Sequence, residues 1–227
     1  MESPISTNGM QGVQSADATF INKVYFFFGL AILISAGGVY FGTDYVMGMI
    51  IGAPWMLFVV FGLELALIFT SRMWSTRRPL NYILFALFAL MSGITVVPLI
   101  ASFALEFGGY EVIIKALVAT TFMFTASAII GRTTGRNLQG LSGILMMGII
   151  GMIIIGVLNI FFPWGNGFEM IYSGFGVLLF SAFVMYDIQK LKHYPEDRYI
   201  DAALALYLDI FNLFISILRL MGALRRN

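Results

Sequence analysis

Residues 203–218 read ALALYLDIFNLFISIL, with Asp209, Asn212 and Ser216 set among Leu, Ile, Phe and Ala. Extended over 200–220, the segment is long enough to cross a bilayer, since about 20 mainly apolar residues span about 30 Å of hydrocarbon. A carboxylate in its middle is costly there, roughly 2.5–3.5 kcal/mol on insertion scales. Working outward, the whole chain has the same character. Of its 227 residues, 59% are hydrophobic and 11% charged, where a soluble domain carries about a quarter charged. Thirteen Lys plus Arg against twelve Asp plus Glu leave a formal net charge of +1. That balance removes a polybasic nucleic-acid binder and an acidic disordered protein. With no Cys in the chain, disulfide scaffolds, thiolate metal sites and cysteine nucleophiles are excluded. The single His193 cannot build a multi-histidine metal site. The reading is an all-α, polytopic membrane protein whose immediate partner is the lipid bilayer, with no nucleic acid.

Seven spans are expected, near 24–42, 47–71, 80–105, 111–131, 141–162, 169–190 and 200–220. The chain then divides into a polar N-terminal tail (1–20), a seven-helix transmembrane domain (21–222) and a basic C-terminal tail (223–227). The first tail has no basic segment leading into an apolar stretch and a small-residue cleavage site, so no cleaved signal peptide is expected. The longest connections contain Pro79 and Pro195, where helices should end.

Orientation follows from the basic residues. Arg72, Arg77 and Arg78 follow span two, Arg132 and Arg136 follow span four, and Lys190, Lys192 and Arg198 surround the turn after span six. The alternate connections hold Asp44, then Glu106, Glu111 and Lys115, then Glu169. The positive-inside rule places the N-terminus and the three basic loops in the cytoplasm. Seven full spans would put the tail carrying Arg219, Arg225 and Arg226 outside, against the rule. Either the last segment re-enters, or helices already inserted override its charges.

Glycines inside the spans (Gly48, Gly52, Gly143, Gly148, Gly151, Gly156, Gly174 and Gly176) read as places where helix backbones approach. Trp55, Trp74 and Trp164 lie near span ends, where interfacial anchoring is the default.

Three acids fall inside apolar runs: Glu64 in FVVFGLELALIF (58–69), Asp187 in LLFSAFVMYDIQK (178–190), and Asp209. Each must be protonated, paired or wet. One such carboxyl is explained equally well by a neutral hydrogen bond between helices; three favour a functional role. At 100° per residue, Asp201, Asp209, Asn212, Ser216 and Arg219 fall within about 80° of one another, opposite an arc of Leu, Ile and Phe. Such a stripe cannot face lipid, so the seventh helix is expected to be central.

Depth counting places Asp187, Asp209 and Arg72 in the inner half of the membrane, Glu64 near the depth of Asp209, and Arg219 near the outer face. Antiparallel spans joined by a short turn are usually neighbours, which makes Asp187 with Asp209 the best-supported encounter. Two carboxyls in a low-dielectric site cannot both ionise cheaply and tend to share one proton. A nearby Arg72 would favour the doubly ionised form. Deprotonated, the pair is an oxygen site suited to a hard cation such as Ca²⁺.

Tyr186-Asp187 ending span six, a short charged turn, and Tyr207-Leu208-Asp209-Ile210-Phe211-Asn212-Leu213-Phe214 in the last span together resemble the transmembrane Bax inhibitor motif family. The likeness runs from about residue 20 to the end and is most specific over 172–220. It implies a seventh helix wrapped by six others, with Asp187 and Asp209 as a pH-sensing dyad. It further implies a pH-sensitive calcium leak, with protons and calcium as partners and no resident cofactor. An arginine of the second span latches the dyad in the family, and Arg72 is its candidate here. Glu64 and Arg219 match the family's second-span acid and terminal arginine, and Asn212 and Ser216 complete the supporting polar network. The minimal loops resemble bacterial members, which implies the plasma (inner) membrane of a bacterium and no inherited role in cell death. Protein partners are not indicated.

Other readings remain open at this point. An intramembrane aspartyl protease also places Tyr-Asp in one span and a second Asp in the next, but Ala205-Leu206-Tyr207-Leu208 is not the Gly-x-Gly such enzymes carry before the second Asp. A proton-coupled transporter uses membrane carboxylates, but no inverted repeat or paired broken spans are evident; Pro98 is a single kink. A regulatory membrane protein would use the dyad only as a neutral hydrogen bond. A retinal pigment is excluded, because the last span has no lysine at mid-depth. His193 is expected to be a solvated loop residue.

Overall fold

The structure, a computed structural model, describes residues 7–53 and 55–226. It is all helical: α1 (Thr7–Gly52), α2 (Trp55–Phe69), α3 (Ser71–Trp74), α4 (Leu80–Glu106), α5 (Glu111–Thr133), α6 (Ser142–Phe161), α7 (Asn166–Lys190) and α8 (Tyr199–Arg225), joined by short turns and 3₁₀ segments. No strand occurs among the described residues.

Among the described residues, six apolar stretches are long enough to cross a membrane: Ala18–Val46, Leu80–Glu106, Glu111–Thr133, Leu138–Asn159, Asn166–His193 and Glu196–Arg225. These stretches do not by themselves confirm the expected count of seven, and a shorter apolar helix, Trp55–Phe69, lies between the first two. The stretch expected as a second span over 47–71 is divided, its first residues ending α1 at Gly52 and the remainder forming the 15-residue α2. At 1.5 Å per residue α2 covers only about 22 Å. Gly52-Ala53-Pro54 supplies the break, because a proline disfavours helical geometry in the residue before it. Beyond α2, Thr70 departs from helical backbone before the four-residue α3. At the other end of the chain, residues 7–17, read from sequence as part of a polar tail, continue α1; residues 1–6 lie outside the described residues.

The last segment does not turn back. α8 runs unbroken for 27 residues, about 40 Å. No residue from Tyr199 to Ala223 is exposed. The apolar arc is therefore covered as fully as the polar stripe: Leu206, Leu213 and Leu218 are 0% exposed. α6 is the opposite case. Leu145 is buried, while Ile144, Met147, Ile150, Ile153 and Ile154 are all exposed, as on a face that meets lipid.

The chain forms two compact units, and their boundaries fall inside α4 and α8. The first comprises Met1–Thr95 and Leu191–Leu204. Within it, Ser35 donates its hydroxyl to the Ala89 carbonyl at 2.7 Å. Phe27 stacks on Tyr82 at 5.2 Å and leans against Tyr199 at 5.6 Å. Trp74, expected at the membrane interface, is instead buried, and its indole N–H donates to the Leu67 carbonyl. The α2–α3 turn brings those two residues together. Trp55 and Trp164 are exposed.

The second unit comprises Val96–Lys190 and Ala205–Asn227. Its core joins Phe103 of α4, Val112, Ile113 and Ala116 of α5, Phe180 of α7, and Leu213, Phe214, Ile217 and Leu218 of α8. Several glycines mark close helix approaches, two of them on or against α7. A Cβ on Gly131 would lie 2.5 Å from the Met185 carbonyl oxygen, so α5 meets the α7 backbone there. A Cβ on Gly176 would lie 2.5 Å from Ser216 Oγ, where α7 meets α8. By contrast Gly143, Gly151 and Gly174 have open space beside them and set no approach.

Candidate functional site

α7 and α8 are antiparallel neighbours in the sequence, separated by a turn that includes 3₁₀ segments at Leu191–His193 and Glu196–Arg198. Asp187 lies one turn before the end of α7, and Asp209 about three turns into α8. Within the second unit their carboxyls lie close enough to act on one another. They are 7% and 5% exposed, so neither has bulk water to solvate a charge. A hydrogen bond between two carboxyls requires one proton, since two carboxylates are both acceptors only. Asp209 Oδ2 is buried with no hydrogen-bond partner, an expensive state for a carboxyl oxygen in a helix bundle.

One basic residue acts on this pair through its charge, Lys190, three residues beyond Asp187 on the same helix face. Its ammonium also lies 5.4 Å from the centre of the Tyr186 ring. Sequence reading used Lys190 only for orientation; the i, i+3 spacing from Asp187 was the signal for its local role.

The rest of the expected stripe is placed as follows. Asn212 donates to the Leu208 carbonyl at 2.7 Å, and Ser216 to the Asn212 carbonyl at 2.8 Å, so both satisfy themselves on their own helix. Ser181 Oγ on α7 is buried without a partner. Toward the other end of the α7–α8 pair, Arg219 reaches Glu169 at 3.4 Å. That partner was assigned from sequence only to a loop, yet it occupies the first turn of α7. Arg219 Nε is buried and unpartnered, so the guanidinium is held by one long contact. Farther out, Arg226 grips both oxygens of Glu106, and that carboxylate holds the guanidinium above its ordinary value.

Glu64 and Arg72 belong to the first unit and have their partners there. Glu64 is 7% exposed and accepts a hydrogen bond from Ser92 Oγ at 2.6 Å, with Thr95 also in reach. Arg72 is exposed, and its charge acts on Asp201. Asp201, expected only as one member of the stripe, accepts from Ser75 at 2.9 Å and Arg198 at 3.4 Å. His193 is exposed in its turn.

Ca²⁺ takes 6–8 oxygen ligands, and no group of three or more His, Asp or Glu suited to a metal occurs among the described residues. Two carboxylates alone fall short of that number.

The model of the family described as "Inhibitor of apoptosis-promoting Bax1" matches residues 17–226. An uncharacterized protein of Campylobacter jejuni is 29% identical over 203 residues, 89% of this chain and 87% of its own length. Bax inhibitor 1 of Schizosaccharomyces pombe is 27% identical over 217 residues, 94% of this chain and 80% of that protein. Protein lifeguard 4 of Mus musculus is 30% identical over 214 residues, 91% of this chain and 86% of that protein.

Proposed function

Because this chain belongs to the Bax inhibitor family, we propose that it is a pH-sensitive calcium leak pathway of the membrane, controlled by Asp187 and Asp209. The observation that carries the reading is the buried carboxyl pair with one oxygen of Asp209 left unpartnered. At low pH the pair shares a proton, and the site is filled. When that proton leaves, two carboxylates face each other away from water, and their repulsion favours entry of a hard cation. Ser181 on α7 and the stripe on α8 supply further oxygens along the route. Lys190 moderates the charge of the pair from one side. The latch role that the resemblance implies for Arg72, opposing the cation when the pair is ionised, rests on that resemblance alone.

The protein sits in the inner membrane of a bacterium, with its N-terminus in the cytoplasm. The bacterial relative and the short loops support that placement, and the three basic connections support the orientation. No enzymatic step is assigned to the carboxyls. A role in cell death, named in the family's description, is not carried over to this chain.

The ion assignment is tested with dye-loaded proteoliposomes at pH 8. Protein-dependent calcium entry is expected, cut at least ten-fold in Asp187→Asn/Asp209→Asn. Entry no faster than in protein-free vesicles would overturn it.

A further inference from the structure

In the first unit, at the start of α8, the Tyr199 ring is 2% exposed, yet two cations lie over it. Lys23 Nζ is 5.5 Å from the ring centre, and the Arg78 guanidinium carbon is 5.6 Å from it. The ring is fixed from several sides. Its hydroxyl accepts from Arg78 Nε at 3.1 Å and shares a hydrogen bond with the Tyr82 hydroxyl at 2.8 Å, while Phe27 packs against both tyrosines. A fixed ring fixes its two cations.

Attraction to an aromatic face stabilises each cation but cancels neither charge, and like charges held on one ring repel. Among the described residues no ion pair includes Lys23 or Arg78. Asp201, the acid nearest along α8, is already held by Ser75 and Arg198. Both cations are exposed. The arrangement is an unneutralised, pre-positioned double positive charge.

Position along the chain identifies the missing anion. Lys23 lies near the start of the apolar stretch that opens at Ala18, Arg78 stands two residues before α4 opens at Leu80, and Tyr199 opens α8. The cations thus sit at the rim of the apolar segments, the depth of lipid headgroups. We propose that Lys23 and Arg78, positioned by Tyr199, bind a phosphate anion supplied by an anionic phospholipid headgroup. Lys23 supplies a point charge, and Arg78 a planar fork of donors that matches two phosphate oxygens.

The test uses the full chain in a neutral detergent, titrated with phosphatidylglycerol, phosphatidylcholine or inorganic phosphate. Retained lipid is read by native mass spectrometry and thermal midpoint by scanning fluorimetry. Phosphatidylglycerol is expected to be retained and to raise the midpoint, with at least ten-fold weaker binding in Lys23→Gln/Arg78→Gln. Lys23→Arg/Arg78→Lys, which keeps both charges, should retain binding, as should Arg132→Gln/Arg136→Gln, which removes two exposed cations elsewhere. Equal binding by wild type and Lys23→Gln/Arg78→Gln overturns the site. An equal loss in Arg132→Gln/Arg136→Gln reduces it to general surface charge and overturns it too. Inorganic phosphate protecting as well as the lipid would overturn the headgroup as the source.

Discussion

Ser92 of α4 gives its hydroxyl to Glu64 of α2 across 2.6 Å, and both side chains are buried. The only buried side chain of the short apolar helix is thus a carboxyl tied to the helix beside it. The link is local, since Ser92 also reaches the Phe88 carbonyl of its own helix at 3.1 Å. Its contribution should be modest. Side-chain hydrogen bonds between membrane helices average about 0.6 kcal/mol and reach about 1.7. Ser92→Ala is expected to lower unfolding free energy in mixed micelles by about 1 kcal/mol. Glu64→Gln, which still offers an acceptor, should lie within about 0.5 kcal/mol of wild type. A larger loss in Glu64→Gln than in Ser92→Ala would mean that the charge of Glu64, and not its hydrogen bond, matters.

Gly131 separates packing from composition. A Cβ there would meet the Met185 backbone, with 2.7 Å to Cα as well as 2.5 Å to the carbonyl oxygen. Backbone cannot swing aside, so Gly131→Ala should destabilise by about 1–3 kcal/mol. Gly151→Ala, in open space on α6, should be neutral or slightly stabilising, since alanine is the better helix former. Equal effects at the two positions, measured by unfolding in the same micelles, would contradict the close α5–α7 approach.

The Arg219–Glu169 pair should be weak. It rests on one contact of 3.4 Å, with side chains 34% and 23% exposed, and partly exposed ion pairs contribute about 0–1 kcal/mol. A double-mutant cycle with Arg219→Gln and Glu169→Gln is expected to give a coupling below about 1 kcal/mol that shrinks as salt rises. A coupling above about 2 kcal/mol would show that the pair tightens outside this conformation.

How much of this was legible in sequence varies with the kind of signal. Asp187 and Asp209 stood out because a carboxylate interrupts an otherwise apolar run, and a short turn forces the two helices together. Glu169 did not stand out. It sits where an apolar run begins, so nothing local distinguishes a loop acid from one that faces Arg219. The division of the expected second span was hidden for a related reason. Hydropathy stays high across Gly52-Ala53-Pro54, and only the backbone preference of the residue before proline marks the break. The helical wheel of α8 separated polar from apolar faces correctly but did not reveal that both are covered. An apolar face reads the same against lipid as against protein, and the difference becomes visible only in the burial of Leu206 and Leu213.

Arg72 and Lys190 are expected to act differently on flux. Under the latch reading, Arg72→Gln removes a competitor of the cation and should raise calcium flux several-fold at pH 8. Unchanged flux would remove Arg72 from the mechanism. Lys190→Met removes a positive charge that favours the ionised carboxyls. Its flux profile should therefore move to higher pH while the maximal rate is kept. A profile moved to lower pH would contradict the electrostatic role of Lys190.

The central claim is that the proton shared by Asp187 and Asp209 controls the path. The direct measurement is calcium flux into proteoliposomes stepped from pH 6 to 8, for wild type, Asp187→Asn and Asp209→Asn at matched reconstitution. Wild-type flux is expected to rise as the shared proton leaves. Each Asn variant is expected to lose that rise, because an amide cannot give up a proton in this range. Identical pH profiles in all three proteins would contradict the account.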